Sequence, residues 1–165
     1  MAVIYIGLGS NRGDRMQYLK DALHQLKQTG TFVKSSAVYE TPSWGYESDQ
    51  PYLNAVVKLE TLLSPEEVLT SLHAIEADSG RTRSAVIRYT DRTLDLDLLY
   101  YDSLVKDTEH INVPHPRIAQ RNFVLKPMLD IDPEWLDART GFTVLDLWNA
   151  LEDTGEIEIY PSRLV

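Results

Sequence analysis

The 165-residue sequence predicts an α+β fold: a ferredoxin-like (split βαβ) antiparallel sheet packed with helices, with C-terminal additions. Two observations predict it. Segments with the two-residue period of a strand and the 3.6-residue period of a helix follow one another in the order βαββαβ. Pro and Gly are scattered rather than gathered into a linker, and no internal repeat interrupts the chain, so one continuous domain over residues 1–165 is expected. With 43% apolar and 25% charged residues, a chain of this length buries roughly 68–70% of its unfolded surface. It needs no staples to fold.

Ala2 to Leu8 reads as a buried strand that breaks at Gly7-Leu8-Gly9-Ser10-Asn11, a strand-to-helix turn. Met16, Leu19, Ala22, Leu23 and Leu26 then recur at helical spacing until Thr29-Gly30 ends the run. Thr31 to Glu40 is rich in β-branched residues and reads as a second strand, and Tyr52 to Leu62 as a third. Between them, Thr41 to Pro51 forms a long irregular connection of the kind that more often serves function than packing. Ser64-Pro65-Glu66-Glu67 combines an N-cap serine, a proline at the first helical position and a glutamate at the third, so a helix starts there and runs to about Asp78. A second irregular stretch, Arg81 to Arg92, leads into a strand from Thr93 to Tyr101 whose apolar flanks suggest a central place in the sheet. A hairpin-like piece follows, then helices near 120–129 and 143–151 and a terminal strand near Ile157.

Composition excludes several function classes. Cysteine is absent, which removes disulfides, thiolate nucleophiles and Cys-based zinc or iron–sulfur sites. No apolar run approaches the roughly 18 residues of a spanning helix, and the start of the chain carries no basic leader, so a soluble cytoplasmic protein with no membrane partner is expected. The net charge is −9, which argues against nucleic-acid binding because phosphate neutralisation needs a basic face. That charge is uneven: residues 130–158 hold nine carboxylates against one arginine, whereas residues 81–121 stand at +1.

The sharpest chemical feature is Arg92-Thr93-Leu94-Asp95-Leu96-Asp97-Leu98-Leu99. The strand period puts Asp95 and Asp97 on one face and Leu94, Leu96 and Leu98 on the other. For a generic pair of this kind a solvated edge is the commoner explanation. Beside so apolar a flank, however, two adjacent carboxylates call for a partner, and a hard cation such as Mg²⁺ suits them, since it takes one or two carboxylates and leaves its other positions to water and phosphate. The preceding loop strengthens this reading. Arg81, Arg83, Arg88 and Arg92, opposed only by Asp91, give a local +3. A charge run is usually a solvated turn, yet guanidinium is the side chain best matched to phosphate oxygens, and such a loop suits a lid that closes on a nucleotide.

Pro114-His115-Pro116-Arg117, followed by Arg121 and Phe123, adds further donors. A lone histidine is more often structural, but here flanking prolines restrict the backbone of His115. His24, His73 and His110 read as surface or helix residues. Gly7-Leu8-Gly9-Ser10-Asn11-Arg12-Gly13 misses the G-x-G-x-x-G pattern and no G-K-[ST] occurs, so neither standard nucleotide loop is present.

Together Gly9-Ser10-Asn11, Tyr39-Glu40-Thr41-Pro42, Gly45, Tyr52-Leu53-Asn54, Glu76, Gly80-Arg81-Thr82-Arg83, R-T-L-D-L-D at 92–97, P-H-P-R at 114–117 and Arg121-Asn122-Phe123 closely resemble the 6-hydroxymethyl-7,8-dihydropterin pyrophosphokinases of folate biosynthesis. The resemblance runs from residue 3 to about 133. It implies a ferredoxin-like enzyme that moves the diphosphoryl group of ATP to the pterin hydroxymethyl group and releases AMP. It further implies that Asp95 and Asp97 hold two Mg²⁺ ions and that Arg81 and Arg92 stabilise charge during transfer. Arg83, Arg88, His115 and Arg121 would line the triphosphate path, with Glu76 as a support nearby. Tyr52 and Phe123 would stack on the pterin while Thr41, Pro42, Trp44, Asn54 and Asp95 meet its edge. A monomer acting on small molecules is the expectation. The loop departs from the family pattern at Ser84, Ala85 and Tyr89, and the stretch from about 134 matches poorly and receives no site assignment.

Two competing readings remain in view. One is a ferredoxin-like module that binds RNA or a regulatory ligand without chemistry; its RNA-binding form would show aromatic residues where the strand reads T-L-D-L-D-L-L-Y, and carboxylates there repel phosphate. A generic nucleotide kinase would release ADP rather than AMP.

Overall fold

The computed structural model describes residues 1–42, 50–79, 94–152 and 155–165. The elements run in the order β1 (Ala2–Ser10), α1 (Arg15–Leu26), β2 (Thr31–Ser35), β3 (Tyr39–Thr41), β4 (Tyr52–Thr61), α2 (Pro65–Asp78), β5 (Asp95–Tyr101), β6 (Lys106–Asp107), β7 (Asn112–Val113), α3 (Asn122–Ile131), α4 (Val144–Ala150) and β8 (Glu158–Ile159). Among the described residues, one sheet has the order β5-β1-β4-β3-β8, with β2 also paired to β4. Every pairing in it is antiparallel. This is the split βαβ plan, in which the expected second strand is shared between β2 and β3 and β8 is the C-terminal addition.

Local chemistry explains most boundaries. Asp14 caps α1 by accepting from the Gln17 N–H, and Ser64 and Glu67 form the reciprocal capping box of α2 with Pro65 in its first turn. Thr143 and Asp146 repeat the box at α4. The predicted strand over Thr31–Glu40 divides because side chains take over the hydrogen bonding between its halves. The Ser36 hydroxyl accepts from the Val56 N–H and donates to the Ala37 carbonyl, and the Ala37 N–H donates to Asp130.

Tertiary pairing corrects two expectations about the site strands. β1 does not break at Gly7; it stays in register with both neighbours to Gly9 and with β4 to Ser10, because two partner ladders outweigh the weak strand preference of glycine. β5 is an edge strand rather than a central one. Its apolar character comes from helix cover on one face and α3 on the other, and its alternation breaks at Leu99, where the register with β1 shifts.

Strand alternation divides the core in two. Ile4, Ile6, Leu8, Leu94, Leu96 and Leu98 pack with Leu19, Leu23 and Leu26 of α1 and Val68, Leu72 and Ile75 of α2. The opposite face carries Tyr5, Val56, Leu99 and Tyr100 against Val124, Leu125 and Met128 of α3 and Val144 and Leu147 of α4. On this second face the hydroxyls of Tyr39, Tyr5 and Tyr100 donate to Asp130, Asp132 and Asp137, each at 2.7 Å. Burial and then these carboxylates push all three phenols well above their usual range, so they remain donors. Trp135 packs edge-on against Tyr5 and Tyr100, with centroids 4.8 and 5.9 Å away. The acidic segment after residue 130 is therefore partly a set of acceptors that fastens the chain to the sheet.

Candidate active site

On the α3 face of the sheet a trough follows β1 between the side chains of β4 and β5. On β1 the side chains facing that way run Tyr5, Gly7, Gly9, so the strand loses its side chains as it enters the trough. Gly7 pairs with Asp97 on β5 and Val56 on β4, and Gly9 pairs with Asp95 on β5 and Asn54 on β4. Cross-strand partners share a face. The result is a glycine floor with two carboxylates on one bank and Asn54 on the other. A Cβ added to Gly9 would sit 3.2 Å from Asn54 Oδ1 and 3.5 Å from the Tyr52 ring, so even one carbon there is tight and a larger side chain would press on Asn54.

Asn54 is buried and donates to Thr41 Oγ1 at 2.8 Å, while Thr41 pairs with Tyr52 across the strands. This places Thr41, Tyr52 and Asn54 in one cluster, with Pro42 exposed just beyond it. Phe123 opens α3, half-buried against the second core. The Arg121 guanidinium lies over its ring at 5.4 Å and reaches Asp97 Oδ2 at 3.8 Å. Aromatic wall, cation and carboxylate thus form a chain. The carboxylate pair has a protein cation beside it, a contact that spacing along the chain did not signal.

Glu76 and His115 reach the site by covering the free edge of β5. Leu96, between the two aspartates, turns its N–H outward, and the buried Glu76 of α2 accepts it at 3.0 Å. Further along the same edge the Leu99 carbonyl accepts the His115 N–H at 3.0 Å. An edge strand presents unpaired backbone groups, and here they serve as anchors. His115 Nδ1 accepts the Arg117 N–H at 3.2 Å, leaving Nε2 to carry the proton of the neutral ring. Burial first, then the Arg121 guanidinium, push the imidazole down to about 4, with Arg117 and Arg139 adding to the shift and Asp95 opposing it.

A cavity of about 360 Å³ wraps round this edge. It is lined by Leu69, His73 and Glu76 from α2, by the strand from Asp95 to Leu98, by His110, Ile111 and Asn112, and by His115, Pro116 and Arg121. His73 and His110 are exposed, as expected, His73 on α2, and both also line the cavity. Helical spacing from Glu76 places His73 one turn back on the same face, and that signal was available in the sequence. Leu69, Leu98, Ile111 and Asn112 are additions for which no chemical motif existed. Of the expected site residues, Arg81, Arg83, Arg88, Arg92 and Trp44 lie outside the described residues.

The carboxylate pair fits Mg²⁺. Among the described residues no group of three or more His, Cys, Asp or Glu side chains gathers at one point. A two-carboxylate set beside an open cavity leaves most positions of an octahedral ion to water and phosphate oxygens, as Mg²⁺ prefers.

The depressed imidazole has a measurable consequence for the ligand-free protein. The folded-state value lies below the ordinary 6.5, so the unfolded chain binds the proton more readily. His115 therefore contributes its full stabilisation above pH 6.5 and loses it as pH falls towards about 4, by up to about 1.4 kcal/mol per pH unit. Urea unfolding of wild type and His115→Gln across that window checks this: the variant is expected to lose stability more slowly on acidification. Parallel losses would contradict it.

The model of the 7,8-dihydro-6-hydroxymethylpterin-pyrophosphokinase (HPPK) family matches residues 5–133, a stretch that contains every described site residue. The chain belongs to this family. Its sequence is 44% identical over 131 residues to the 2-amino-4-hydroxy-6-hydroxymethyldihydropteridine pyrophosphokinase of Bacillus subtilis, covering 78% of this chain and 77% of that protein. It is 42% identical over 139 residues to the enzyme of the same name from Porphyromonas gingivalis, covering 82% and 94%. The folic acid synthesis protein fol1 of Pneumocystis carinii is 36% identical over 151 residues, and there the chain spans only 20% of the relative's length. The solved HPPK-DHPS of Plasmodium falciparum has the same fold, with a TM-score of 0.71 at 15% identity over 90% of this chain and 43% of that one. No helix among the described residues is long and apolar enough to cross a membrane.

Proposed function

We propose that this member of the HPPK family transfers the β,γ-diphosphoryl group of ATP to the hydroxymethyl oxygen of 6-hydroxymethyl-7,8-dihydropterin, giving AMP and the pterin diphosphate, and that the trough and cavity are its two substrate sites. One observation carries the reading: Asp95 and Asp97 form one bank of the glycine-floored trough and also line the cavity. A flat heterocycle lying in the trough would meet Asn54 and Thr41 with its polar edge and Tyr52 and Phe123 with its faces. A nucleotide in the cavity would set its base among Leu69, Leu98 and Ile111, with His73, His110 and Asn112 as polar partners, and extend its phosphates towards Arg121 and His115.

In the reaction the hydroxymethyl oxygen bonds to the β-phosphorus as the bond from that phosphorus to the oxygen bridging it to the α-phosphorus breaks. The hydroxyl proton is released and AMP leaves. Mg²⁺ held by Asp95 and Asp97 would neutralise phosphate charge and orient the phosphate chain. The protein's part is positioning. Asn54 and Thr41 fix the pterin, Arg121 balances charge between Asp97 and the incoming phosphates, and Glu76 holds the backbone between the aspartates still. His115 offers an uncharged N–H donor at neutral pH. Arg81, Arg83, Arg88 and Arg92 would complete the phosphate contacts, and Trp44 and Pro42 the pterin edge.

Incubation with ATP, Mg²⁺ and 6-hydroxymethyl-7,8-dihydropterin, followed by separation of the nucleotides, tests the reading. AMP and a pterin diphosphate in equal amounts are expected. ADP as the product, or no turnover when both substrates are bound, would sink it.

A further inference from the structure

Residues 134–165 lie beyond the stretch matched by the family model, and the mechanism above places no substrate contact on them. One side chain there is nevertheless wired into the site. Asp137, buried below the sheet, accepts the Tyr100 hydroxyl with one oxygen and the N–H groups of Arg139 and Thr140 with the other, at 2.9 and 3.0 Å. A tight turn closes on it: the Gly141 N–H donates to the Asp137 carbonyl, and Gly141 takes a φ of 76° that favours glycine. Arg139 is thereby held against the sheet through Tyr100.

From this anchor the Arg139 guanidinium reaches two separate pieces of the cavity wall. Its Nε–H donates to the Pro114 carbonyl at 2.8 Å, and its two terminal nitrogens grip both oxygens of Asp107 on β6. Pro114 follows β7 and precedes His115. β6 and β7 are two residues long each and, among the described residues, pair with one another alone, too little for a hairpin to hold itself in place in water. Yet this hairpin and the turn after it supply His110, Ile111, Asn112, His115 and Pro116 to the cavity. Ile111 and Val113 in the first core, the Lys106–Glu66 pair and the Leu99–His115 bond also hold the hairpin, and the Arg139 fork is the tie that reaches β6 and the residue after β7 with one side chain.

We infer that Arg139 is a positioning residue for the nucleotide side of the site, holding the β6–β7 wall and the His115 turn in the arrangement that receives ATP. The inference rests on the assignment of that cavity to the nucleotide. A planar, five-donor guanidinium suits the task because three acceptors at fixed angles must be served together, which an ammonium group cannot do.

The test uses the full chain with Arg139→Ala, Arg139→Lys and Asp107→Asn. Each is titrated calorimetrically with Mg²⁺ and α,β-methylene-ATP, whose carbon bridge blocks the bond that breaks, and separately with the pterin. Arg139→Ala is expected to weaken the analogue about tenfold, or about 1.4 kcal/mol, and to raise KM for ATP in parallel. It leaves pterin affinity unchanged and shifts the His115 imidazole signal in nitrogen-resolved NMR spectra. Arg139→Lys falls between the two. If Arg139→Ala does not fold, Asp107→Asn, which loosens the fork and keeps the Pro114 bond, carries the same comparison. Analogue affinity within about twofold of wild type overturns the inference, as does an equal loss of analogue and pterin affinity, which marks a general loss of stability. If wild type makes no AMP the proposed activity fails, while the analogue titration still decides the role of Arg139.

Discussion

Asp97→Asn lowers Mg²⁺-dependent turnover about a thousandfold or more, the effect of losing several kcal/mol of transition-state stabilisation, while its circular dichroism and melting stay close to wild type. The expectation follows from where the residue sits. Asp97 is on an edge strand with its side chain partly exposed to the cavity, so little packing depends on its charge. Among the described residues Arg121 stands beside it at 3.8 Å, longer than a good charge-assisted hydrogen bond, and an ion pair at that distance contributes little to stability. Asp95→Asn is expected to behave alike, with an added loss of pterin affinity because Asp95 borders the trough opposite Gly9. Titrating turnover against Mg²⁺ separates the roles: weakened metal dependence supports the assignment. Turnover within tenfold of wild type at ordinary Mg²⁺, or an unfolded variant, would place these carboxylates in a structural role.

The second large effect is expected at Gly9, where valine should weaken pterin binding strongly and leave the nucleotide side nearly intact. Even the first carbon of a side chain there comes to 3.2 Å from Asn54 Oδ1, and a branched one fills the floor between Asn54 and Asp95. Asn54 cannot give way freely because it is buried and bonded to Thr41. Overpacking of this kind costs about 1–3 kcal/mol in stability, a modest fall in melting temperature. The loss of pterin affinity is expected to be on the order of 100-fold, or about 2.7 kcal/mol. Alanine should be milder, since its one carbon asks for a shift of only a few tenths of an ångström. Titration with the pterin and with α,β-methylene-ATP measures both sides. Wild-type pterin affinity in a folded Gly9→Val protein would show that the trough is not the pterin site.

Both predictions depend on residues whose chemistry was visible before the fold was known, though only part of their context was. The D-x-D pair, the arginine run and the histidine between prolines were legible because each is local: the strand period alone puts Asp95 and Asp97 on one face. α2 was equally legible, since Ser64, Pro65 and Glu67 write its start within four residues. The glycines at 7 and 9 were misread as a strand end, because local preference counts against glycine in a strand and cannot register that a trough needs a floor without side chains. The place of β5 at the sheet edge was misread for a similar reason. Cover from α2 and α3 gives an edge strand the apolar flanks of a central one.

By itself, then, the sequence determined the element order, the caps that start the helices, the pairing of two carboxylates on one strand face and the resemblance that names the chemistry. All of these depend on residues a few positions apart, where backbone geometry leaves little freedom. Tertiary structure alone decided what surrounds those carboxylates: Glu76 on the Leu96 N–H, His115 on the Leu99 carbonyl, Arg121 beside Asp97, and Arg139 on Pro114 and Asp107. Each joins residues some sixteen to thirty-two positions apart along the chain. Each exists because an edge strand and a short hairpin had backbone groups or charges to satisfy, and which distant side chain satisfies them is settled only when the sheet and its helices pack.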